Sequence, residues 1–173
     1  YLNILKNDSN NYDAILKLGL IDVKDKNFIF AKEKFKKLIK INNSRYEGHL
    51  NLSNIYSFEG KTIKANEVLQ NFIINVEENI EIINAIAINL LNIKKYDDLE
   101  AHVNKYILKH NSYILNYLKG YCLTKEDKLS ESEHYFKKTI NLNNNFWQAY
   151  DFLLKQYDKQ SRLKDLLSLI TEA

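Results

Sequence analysis

One amphipathic segment occurs twice in this chain. FKKLIKINNS, residues 35–44, returns almost letter for letter as FKKTINLNNN, residues 136–145, and the two copies lie 101 residues apart. This separation is close to three times 34, which predicts further copies of one unit about 34 and 68 residues after the first. Units of this kind bury their apolar faces only against their neighbours. The repeat therefore constrains the fold more than any other feature of the sequence.

The rest of the chain follows the same period, in repeats that begin at residues 12, 46, 80, 113 and 147. The eighth position is small in the first four repeats: Gly19, Ser53, Ala87 and Gly120. The twentieth position holds Ala31, Ala65 and Ser132, with Leu99 and Leu166 as larger exceptions. The twenty-fourth position holds Phe35, Leu69, Val103, Phe136 and Ile170. Because the distance between packed helices depends on side-chain size, the small positions predict close helix crossings and the large ones predict core residues.

Each repeat is predicted to form two helices, because apolar residues recur at three- and four-residue spacing on both sides of a polar break. In the second repeat this break is Glu59-Gly60-Lys61. No strand is expected, so the predicted fold class is all-α. The first helices are predicted near Tyr12–Lys24, Tyr46–Phe58, Ile80–Asn92, Tyr113–Thr124 and Trp147–Asp158.

Polar clusters separate the repeats: Asn42-Asn43-Ser44, Glu77-Glu78-Asn79, His110-Asn111-Ser112 and Asn143-Asn144-Asn145. Asn and Ser accept left-handed or capping geometry, so we expect these residues to end one helix and cap the next. The predicted organisation is the end of a preceding helix over residues 1–10 and a repeat array over 11–173. Its repeats are 12–45, 46–79, 80–112, 113–146 and 147–173.

The fourth repeat fits the period less well, since it places Asn116 and Lys119 where the core needs apolar residues. Moving its first helix by one residue buries Leu115, Leu118 and Cys122 and lengthens the loop at residues 125–128. We favour this local irregularity. A second apolar stripe, formed by Tyr117 and Tyr121 with Ile114, then faces the groove or a neighbouring helix.

These features resemble the tetratricopeptide repeat (TPR) family, whose unit of about 34 residues is an antiparallel helix pair. The better matches are Leu18-Gly19, Ala31 and Phe35, then Leu52, Tyr56, Gly60 and Ala65, and in the fifth repeat Tyr150, Leu153 and Tyr157. Leu99 and Leu154 depart from the family, which places small residues there. The resemblance covers nearly the whole chain and implies a right-handed superhelical solenoid.

Residues that carry catalytic or metal chemistry do not form recognisable sites. The four histidines, His49, His102, His110 and His134, lack metal-ligand spacing, and the four glycines form no phosphate-binding loop. Cys122 has apolar neighbours, which favours a buried structural thiol. We therefore expect no enzyme activity, no metal and no cofactor.

Composition restricts the partners and the compartment. The 25 basic and 22 acidic residues give a net charge of +3, and Arg45 and Arg162 are the only arginines. Nucleic-acid binders usually concentrate positive charge, so we expect no nucleic-acid partner. The sequence has no apolar run long enough to span a membrane, and its single cysteine allows no internal disulfide; we expect a cytoplasmic protein. The opening YLNILKND and the absence of methionine indicate a segment of a longer chain.

The resemblance also implies a partner-binding groove, lined by the second, fifth, ninth, twelfth and thirteenth positions of each first helix. The expected groove residues are Asp13, Leu16, Leu20, Val23, Glu47, Leu50, Asn54, Phe58, Asn84, Ile88, Leu91, Tyr117 and Tyr121. The apolar members form a band that solvated helices do not usually show. In the alternative interpretation this band packs inside the superhelix, because large apolar patches are rarely left exposed.

A protein or peptide partner held along this groove is the favoured function. The alternative is a regulatory or substrate-docking region of a larger enzyme, such as a glycosyl- or sulfotransferase, and a helical RNA-binding repeat is weaker because Asp13, Glu47 and Glu81 lie on the inner face. The clamp by which family members hold the acidic tail of heat-shock chaperones is not expected. Leu16, Leu20 and Leu50 replace its lysine and asparagine, and no arginine is expected on these faces.

Overall fold

The computed structural model describes residues 1–75 and 78–172, and every regular element in these ranges is an α-helix. The predicted all-α fold class is confirmed. The helices are α1 (Leu2–Asn7), α2 (Tyr12–Lys24), α3 (Phe28–Ile41), α4 (Tyr46–Phe58), α5 (Thr62–Asn75), α6 (Ile80–Asn92), α7 (Tyr96–Tyr106), α8 (Tyr113–Lys125), α9 (Leu129–Leu142), α10 (Trp147–Lys159) and α11 (Leu163–Glu172).

The helix boundaries follow the period of the sequence. Each first helix begins at the first residue of its repeat and contains 13 residues, so α8 and α10 end one residue later than predicted. Each second helix begins at the seventeenth position, after a three-residue turn. Side-chain caps start three of the first helices: Asn11, Asn79 and Ser112 accept hydrogen bonds from the backbone N–H groups of Ala14, Ile82 and Leu115. The capping predicted for Asn79 and Ser112 is thus confirmed.

Left-handed backbone occurs in the turns within repeats and not in the clusters between them. The fifteenth position of every repeat has a positive φ, between 54° and 75°: Lys26, Gly60, Lys94, Asp127 and Ser161. Asn42 and Asn143 have extended backbones, and their side chains accept hydrogen bonds from the N–H groups of Ser44 and Asn145. Of the two geometries expected for the inter-repeat clusters, the left-handed one does not occur at Asn42 and Asn143, which end α3 and α9 with an Asx turn. Glu77 lies outside the described residues.

The turn hydrogen bonds explain why non-glycine residues adopt this conformation. The N–H of Lys26 donates to the Val23 carbonyl, and the N–H of Asn27 donates to the Asp22 carbonyl at 2.7 Å. These are the two bonds of a Schellman motif, which satisfies the last carbonyls of a helix. The same pair of bonds closes α4, α8 and α10.

Two compact units make up the fold, Tyr1–Lys94 and Lys95–Ala173, and the boundary falls inside the third repeat. Helices pack mainly against their neighbours along the chain, with α4 also touching α6. The core of the first unit includes Ile15, Ala31, Phe35, Leu38 and Leu52. The core of the second unit includes Phe136, Ala149, Tyr150, Leu153 and Tyr157.

The close crossings predicted at the eighth position are confirmed in the first and fourth repeats. A Cβ atom added to Gly19 would lie 2.7 Å from Cε1 of Phe35, and one added to Gly120 would lie 2.8 Å from Cε1 of Phe136. Both phenylalanines are fully buried. The repeated FKK segments therefore begin with the ring that fills the space a glycine leaves open in the preceding helix.

The irregularity predicted for the fourth repeat is wrong, although Leu115, Leu118 and Cys122 are buried as predicted. Helix α8 has the usual 13 residues and a three-residue turn follows it, so the loop is not lengthened. Asn116 is fully buried in the regular frame, since its amide nitrogen donates to the Ser112 carbonyl at 2.7 Å. The third repeat is the one that is a residue shorter, and its second helix, α7, has only 11 residues.

The structure differs from the prediction at the twenty-fourth position of the fifth repeat, which lies in the last helix. Ile170 is 56% exposed, whereas its neighbour Leu169 is buried. Helix α11 directs Leu166 and Leu169 towards the core of the second unit, and consecutive residues of a helix point about 100° apart. Ile170 is therefore not a core residue.

Candidate functional site

The expected groove residues of the first compact unit divide into an exposed set and a half-buried set. The exposed residues are Asp13, Leu20, Asn54, Phe58 and Ile88. The half-buried residues are Leu16, Val23, Glu47, Leu50, Asn84 and Leu91. Leu16 and Val23 pack against the core cluster of this unit, so part of the apolar band supports the fold.

Three large apolar side chains of the exposed set lie on successive first helices. Leu20 on α2 is 38% exposed, Phe58 on α4 is 73% exposed and Ile88 on α6 is 40% exposed. A helix of a folded domain normally turns such residues towards the core. Their exposure is the main feature that distinguishes this face from a solvated helix surface.

An arginine that does not itself lie on a first helix reaches the expected groove residues. Arg45 precedes α4, and its guanidinium contacts Glu47 at 2.6 Å and Asp13 at 3.2 Å while lying 3.9 Å from the centre of the Tyr12 ring. Partial burial opposes ionisation of Glu47, but the hydrogen bond from Arg45 lowers its pKa below the usual range. The positive charge of Arg45 is thus paired with the carboxylates of Asp13 and Glu47.

A crevice of about 370 Å³ opens at the end of α2, beside the start of α3 and the outer face of α4. Its walls are formed by Val23, Lys24, Lys26, Phe28, Asn51, Asn54, Ile55 and Phe58. The rings of Phe28 and Phe58 lie 5.0 Å apart between centroids. Three of the expected groove residues, Val23, Asn54 and Phe58, line this crevice.

A buried polar cluster joins α4 and α6 inside the first compact unit. The Ser57 hydroxyl donates to the Asn89 side-chain oxygen at 3.0 Å, and the amide nitrogen of Asn89 donates to the Ser53 hydroxyl oxygen at 3.5 Å. Asn89 is nearly fully buried. Because buried polar groups need partners, these bonds fix how the two first helices align beneath the exposed face.

In the second compact unit the predicted tyrosines pack against neighbouring helices. Tyr117 lies among the rings of Phe136, Phe146 and Phe152 at centroid distances of 5.0 to 6.0 Å. Tyr121 contacts Phe152 at 6.0 Å and Tyr96 at 6.4 Å. Burial, together with a hydrogen bond with Tyr96, raises the pKa of Tyr121 to about 12. Both side chains are half-buried.

Chemical groups that could support catalysis are dispersed or buried. Burial, with a smaller effect of the Glu100 carboxylate, raises the pKa of the Cys122 thiol to about 11, which keeps it protonated at neutral pH. No group of three or more His, Cys, Asp and Glu side chains within residues 1–75 and 78–172 could hold a metal ion. In the same part of the chain, no helix is long and apolar enough to cross a membrane.

Sequence reasoning found part of this surface and missed the rest. The exposed side chains on the first helices follow from the repeat positions. Sequence reasoning missed three residues that do not belong to the first helices. Phe28 lies on a second helix, Lys26 lies in a turn, and Arg45 lies in a segment between repeats. Phe28, the first residue of α3, was the one signal in the sequence that could have indicated this surface, because an apolar residue directly after a turn needs a packing partner.

Comparison with known proteins finds solved structures with a similar fold. No protein-family model matches the chain, and no curated protein matches its sequence. Among solved structures, PilF of Pseudomonas aeruginosa is similar with a TM-score of 0.79 at 19% identity, over 93% of this chain and 74% of that one. YrrB, described as a TPR protein with an unusual peptide-binding site, has a TM-score of 0.71 at 12% identity, over 99% and 89%. MamA has a TM-score of 0.72 at 17% identity, over 93% and 88%.

These likenesses extend over nearly the whole chain at low sequence identity, as expected for a fold fixed by a small set of repeated positions. By fold, the chain is a TPR-like helical repeat protein.

Proposed function

We propose that this chain is a protein-interaction scaffold that holds a segment of a partner protein against the exposed face of its first helices. The observation that carries the proposal is the exposure of Leu20, Phe58 and Ile88 on successive first helices. Apolar side chains grouped on one face commonly mark a site of protein association. The description of YrrB as a TPR protein with a peptide-binding site supports the same class of role.

A protein or peptide suits this face better than a nucleic acid does. The arginine nearest to it, Arg45, is held by Asp13 and Glu47 and is not directed at a phosphate backbone. Leu16 and Leu20 occupy the fifth and ninth positions of the first repeat and Leu50 the fifth position of the second, where a chaperone-tail clamp has lysine, asparagine and lysine, and only Asn54 matches that pattern. We therefore propose an apolar contact with the partner as the main source of affinity.

The test separates binding from folding with two pairs of substitutions. Phe58→Glu with Ile88→Glu alters the exposed face, and Ile29→Glu with Ile63→Glu alters two other exposed apolar residues, which lie on second helices. Both pairs should leave thermal melting nearly unchanged, because exposed substitutions typically alter stability by only about 0.5 kcal/mol. Partners captured from a native extract and identified by mass spectrometry should be lost only with the first pair.

Two outcomes would contradict the scaffold. Retention of the same partners by the Phe58→Glu, Ile88→Glu variant would show that they bind elsewhere. A large fall in its melting temperature would show that the two side chains support the fold.

A further inference from the structure

The crevice between Phe28 and Phe58 recurs at the same repeat positions in the other compact unit. In the first unit its walls come from two consecutive repeats. The first repeat contributes its twelfth, thirteenth, fifteenth and seventeenth positions, which are Val23, Lys24, Lys26 and Phe28. The second repeat contributes its sixth, ninth, tenth and thirteenth positions, which are Asn51, Asn54, Ile55 and Phe58. In the second unit a crevice of about 210 Å³ uses six of these positions: Thr124, Leu129, Phe152, Lys155, Gln156 and Lys159. A feature that follows the repeat in this way belongs to the architecture and is not an accident of one junction.

The first crevice combines an apolar floor with a basic rim. Ile55 is buried and Val23 is half-buried at its base, while the ring of Phe58 is 73% exposed at its mouth. Its volume of about 370 Å³ lies at the low end of the range of about 300–1,000 Å³ typical of ligand pockets. The space therefore suits one or two side chains of a partner.

The rim carries charge of one sign. Lys24 and Lys26 line the crevice, and no acidic side chain does; Asp25, between them in sequence, is not part of the wall. Neither lysine forms an ion pair within the described ranges of the chain. Two amides, Asn51 and Asn54, lie on the α4 side, where the amide nitrogen of Asn51 already donates to the Glu47 carbonyl.

We propose that this crevice binds an apolar side chain from an acidic segment of the partner protein. An aromatic or branched aliphatic anchor inserts beside Phe28 and Phe58, and a neighbouring carboxylate pairs with Lys24 or Lys26. Asn54 faces the partner's backbone, which supplies both donors and acceptors for a side-chain amide. This inference rests on the proposed scaffold function and specifies the chemistry of the partner.

The second crevice has the same polarity, which supports an acidic partner. Lys155 and Lys159 line it, and no acidic side chain does. Lys155 is paired with Asp151 at 2.7 Å, whereas no ion pair of Lys159 occurs among the described residues. By contrast, the larger depression of about 470 Å³ beside the start of α5 includes Glu67 together with Lys61 and Lys64, so its charge is mixed.

The experiment uses synthetic peptides and the full 173-residue chain. The probe has the sequence Gly-Ser-Asp-Phe-Glu-Ser-Gly; one control replaces Asp and Glu by Asn and Gln, and another replaces Phe by Ala. Nitrogen-15 NMR should show shifts at Asn54 and Phe58 with the acidic aromatic peptide. Both controls should bind more weakly, since each lacks one of the two contacts: the amide peptide by about two- to fivefold, as for an exposed ion pair, and the alanine peptide by about tenfold or more, as for a lost apolar anchor.

Lysine variants test the rim directly. Lys24→Gln with Lys26→Gln should weaken binding of the acidic peptide about tenfold, and rising salt should weaken wild-type binding, because surface charges are screened. Lys36→Gln with Lys40→Gln removes the same charge from an exposed part of α3 outside the crevice. This control pair should change the affinity less than about twofold, since long-range charge effects are screened at physiological salt.

Two results would overturn the inference. Equal binding of the acidic and amide peptides would remove the charge preference while leaving the scaffold function in place. Absence of shifts at Asn54 and Phe58 with every peptide would rule out the crevice as the anchor. The scaffold function would then still be decided by the Phe58 and Ile88 variant, whose readout does not depend on these peptides.

Discussion

Glycine and phenylalanine occur together at the eighth and twenty-fourth positions of the same repeats. Gly19 is paired with Phe35, and Gly120 is paired with Phe136, with Cβ-to-ring distances that leave no room for a methyl group. The second repeat has Ser53 with Leu69, and the third has Ala87 with Val103. The size of one residue therefore varies inversely with the size of the other, as close packing requires.

Gly19→Ala is expected to destabilise the chain despite the helix preference of alanine. The propensity gain is about 1 kcal/mol, whereas overpacking against a fully buried ring costs about 1–3 kcal/mol. Urea unfolding should show a net loss. In a double variant with Phe35→Leu, a larger residue at position 19 faces a smaller one at position 35, as Ser53 faces Leu69 in the second repeat. The loss of unfolding free energy in this variant should be smaller than the sum of the two single losses. Strict additivity would mean that the two side chains do not compete for space.

A buried histidine makes stability depend on pH. His49 occupies the fourth position, where the first and third repeats have Ile15 and Ile83, and its ring lies 4.9 Å from that of Phe72. Burial lowers the pKa of His49 below 6.5, and the nearby carbonyls of Val68 and Asn43 offset only part of this effect. The unfolded chain therefore binds the proton more readily than the folded chain does.

The free energy of unfolding should consequently be unaffected by His49 above about pH 6.5 and fall as the pH drops below that value. His49→Ile, which restores the residue type of the first and third repeats, should remove this part of the pH dependence. Chemical unfolding between pH 7.5 and 5.5 measures the difference between the two proteins, so other titrating groups cancel. Parallel pH profiles would contradict the assignment to His49.

At the scale of the helices, the period predicted where the first helices begin but not the handedness of the turns after them. Lys26, Lys94, Asp127 and Ser161 give no strong signal for a positive φ, and only Gly60 does. The two Schellman hydrogen bonds outweigh the conformational cost at Lys26, Asp127 and Ser161, and the bond from the N–H of Lys94 to the Leu91 carbonyl contributes to the turn after α6. The irregularity predicted for the fourth repeat is wrong because the amide nitrogen of the buried Asn116 donates to a backbone carbonyl, although its side-chain oxygen has no hydrogen-bond partner.

Substitutions in these turns should act through the backbone alone. No atom lies within 4 Å of a Cβ added to Gly60, so Gly60→Ala should lose about 1 kcal/mol from left-handed strain without any clash. Asp127→Gly, at the same position of the fourth repeat, should gain a part of that amount, because glycine's unfolded-state entropy offsets some of the relief. Thermal or urea unfolding measures both. If both substitutions stabilised the chain, or both destabilised it, left-handed strain would not explain their effects.

The candidate surface was predictable only in the part that lies on single helices. Leu20, Phe58 and Ile88 lie at the ninth and thirteenth positions, which are exposed in each of the first three repeats, whereas Leu16 and Val23 lie at the fifth and twelfth positions, which are half-buried, and pack against the core. The resemblance placed all of these positions in one groove. It did not indicate which of them the packing of neighbouring helices covers.

At the scale of the whole molecule, stability is expected to be local. Within each compact unit the helices pack mainly against the next helix along the chain, so each repeat depends on its neighbours and not on one central core. Stability of such a chain is approximately a sum of repeat and interface contributions. A perturbation should therefore weaken with distance along the sequence.

Two matched substitutions test this expectation by hydrogen exchange with mass spectrometry. Gly19→Ala should accelerate amide exchange in α2 and α3, while α8 and α9 keep their wild-type protection. Gly120→Ala places the same methyl group against the equivalent ring, Phe136, and should produce the opposite pattern. Because the two clashes differ by only 0.1 Å, unequal severity cannot account for a reversal of the affected region. Uniform loss of protection in both variants would show that the chain unfolds as one cooperative unit, and the nearest-neighbour description would then be wrong.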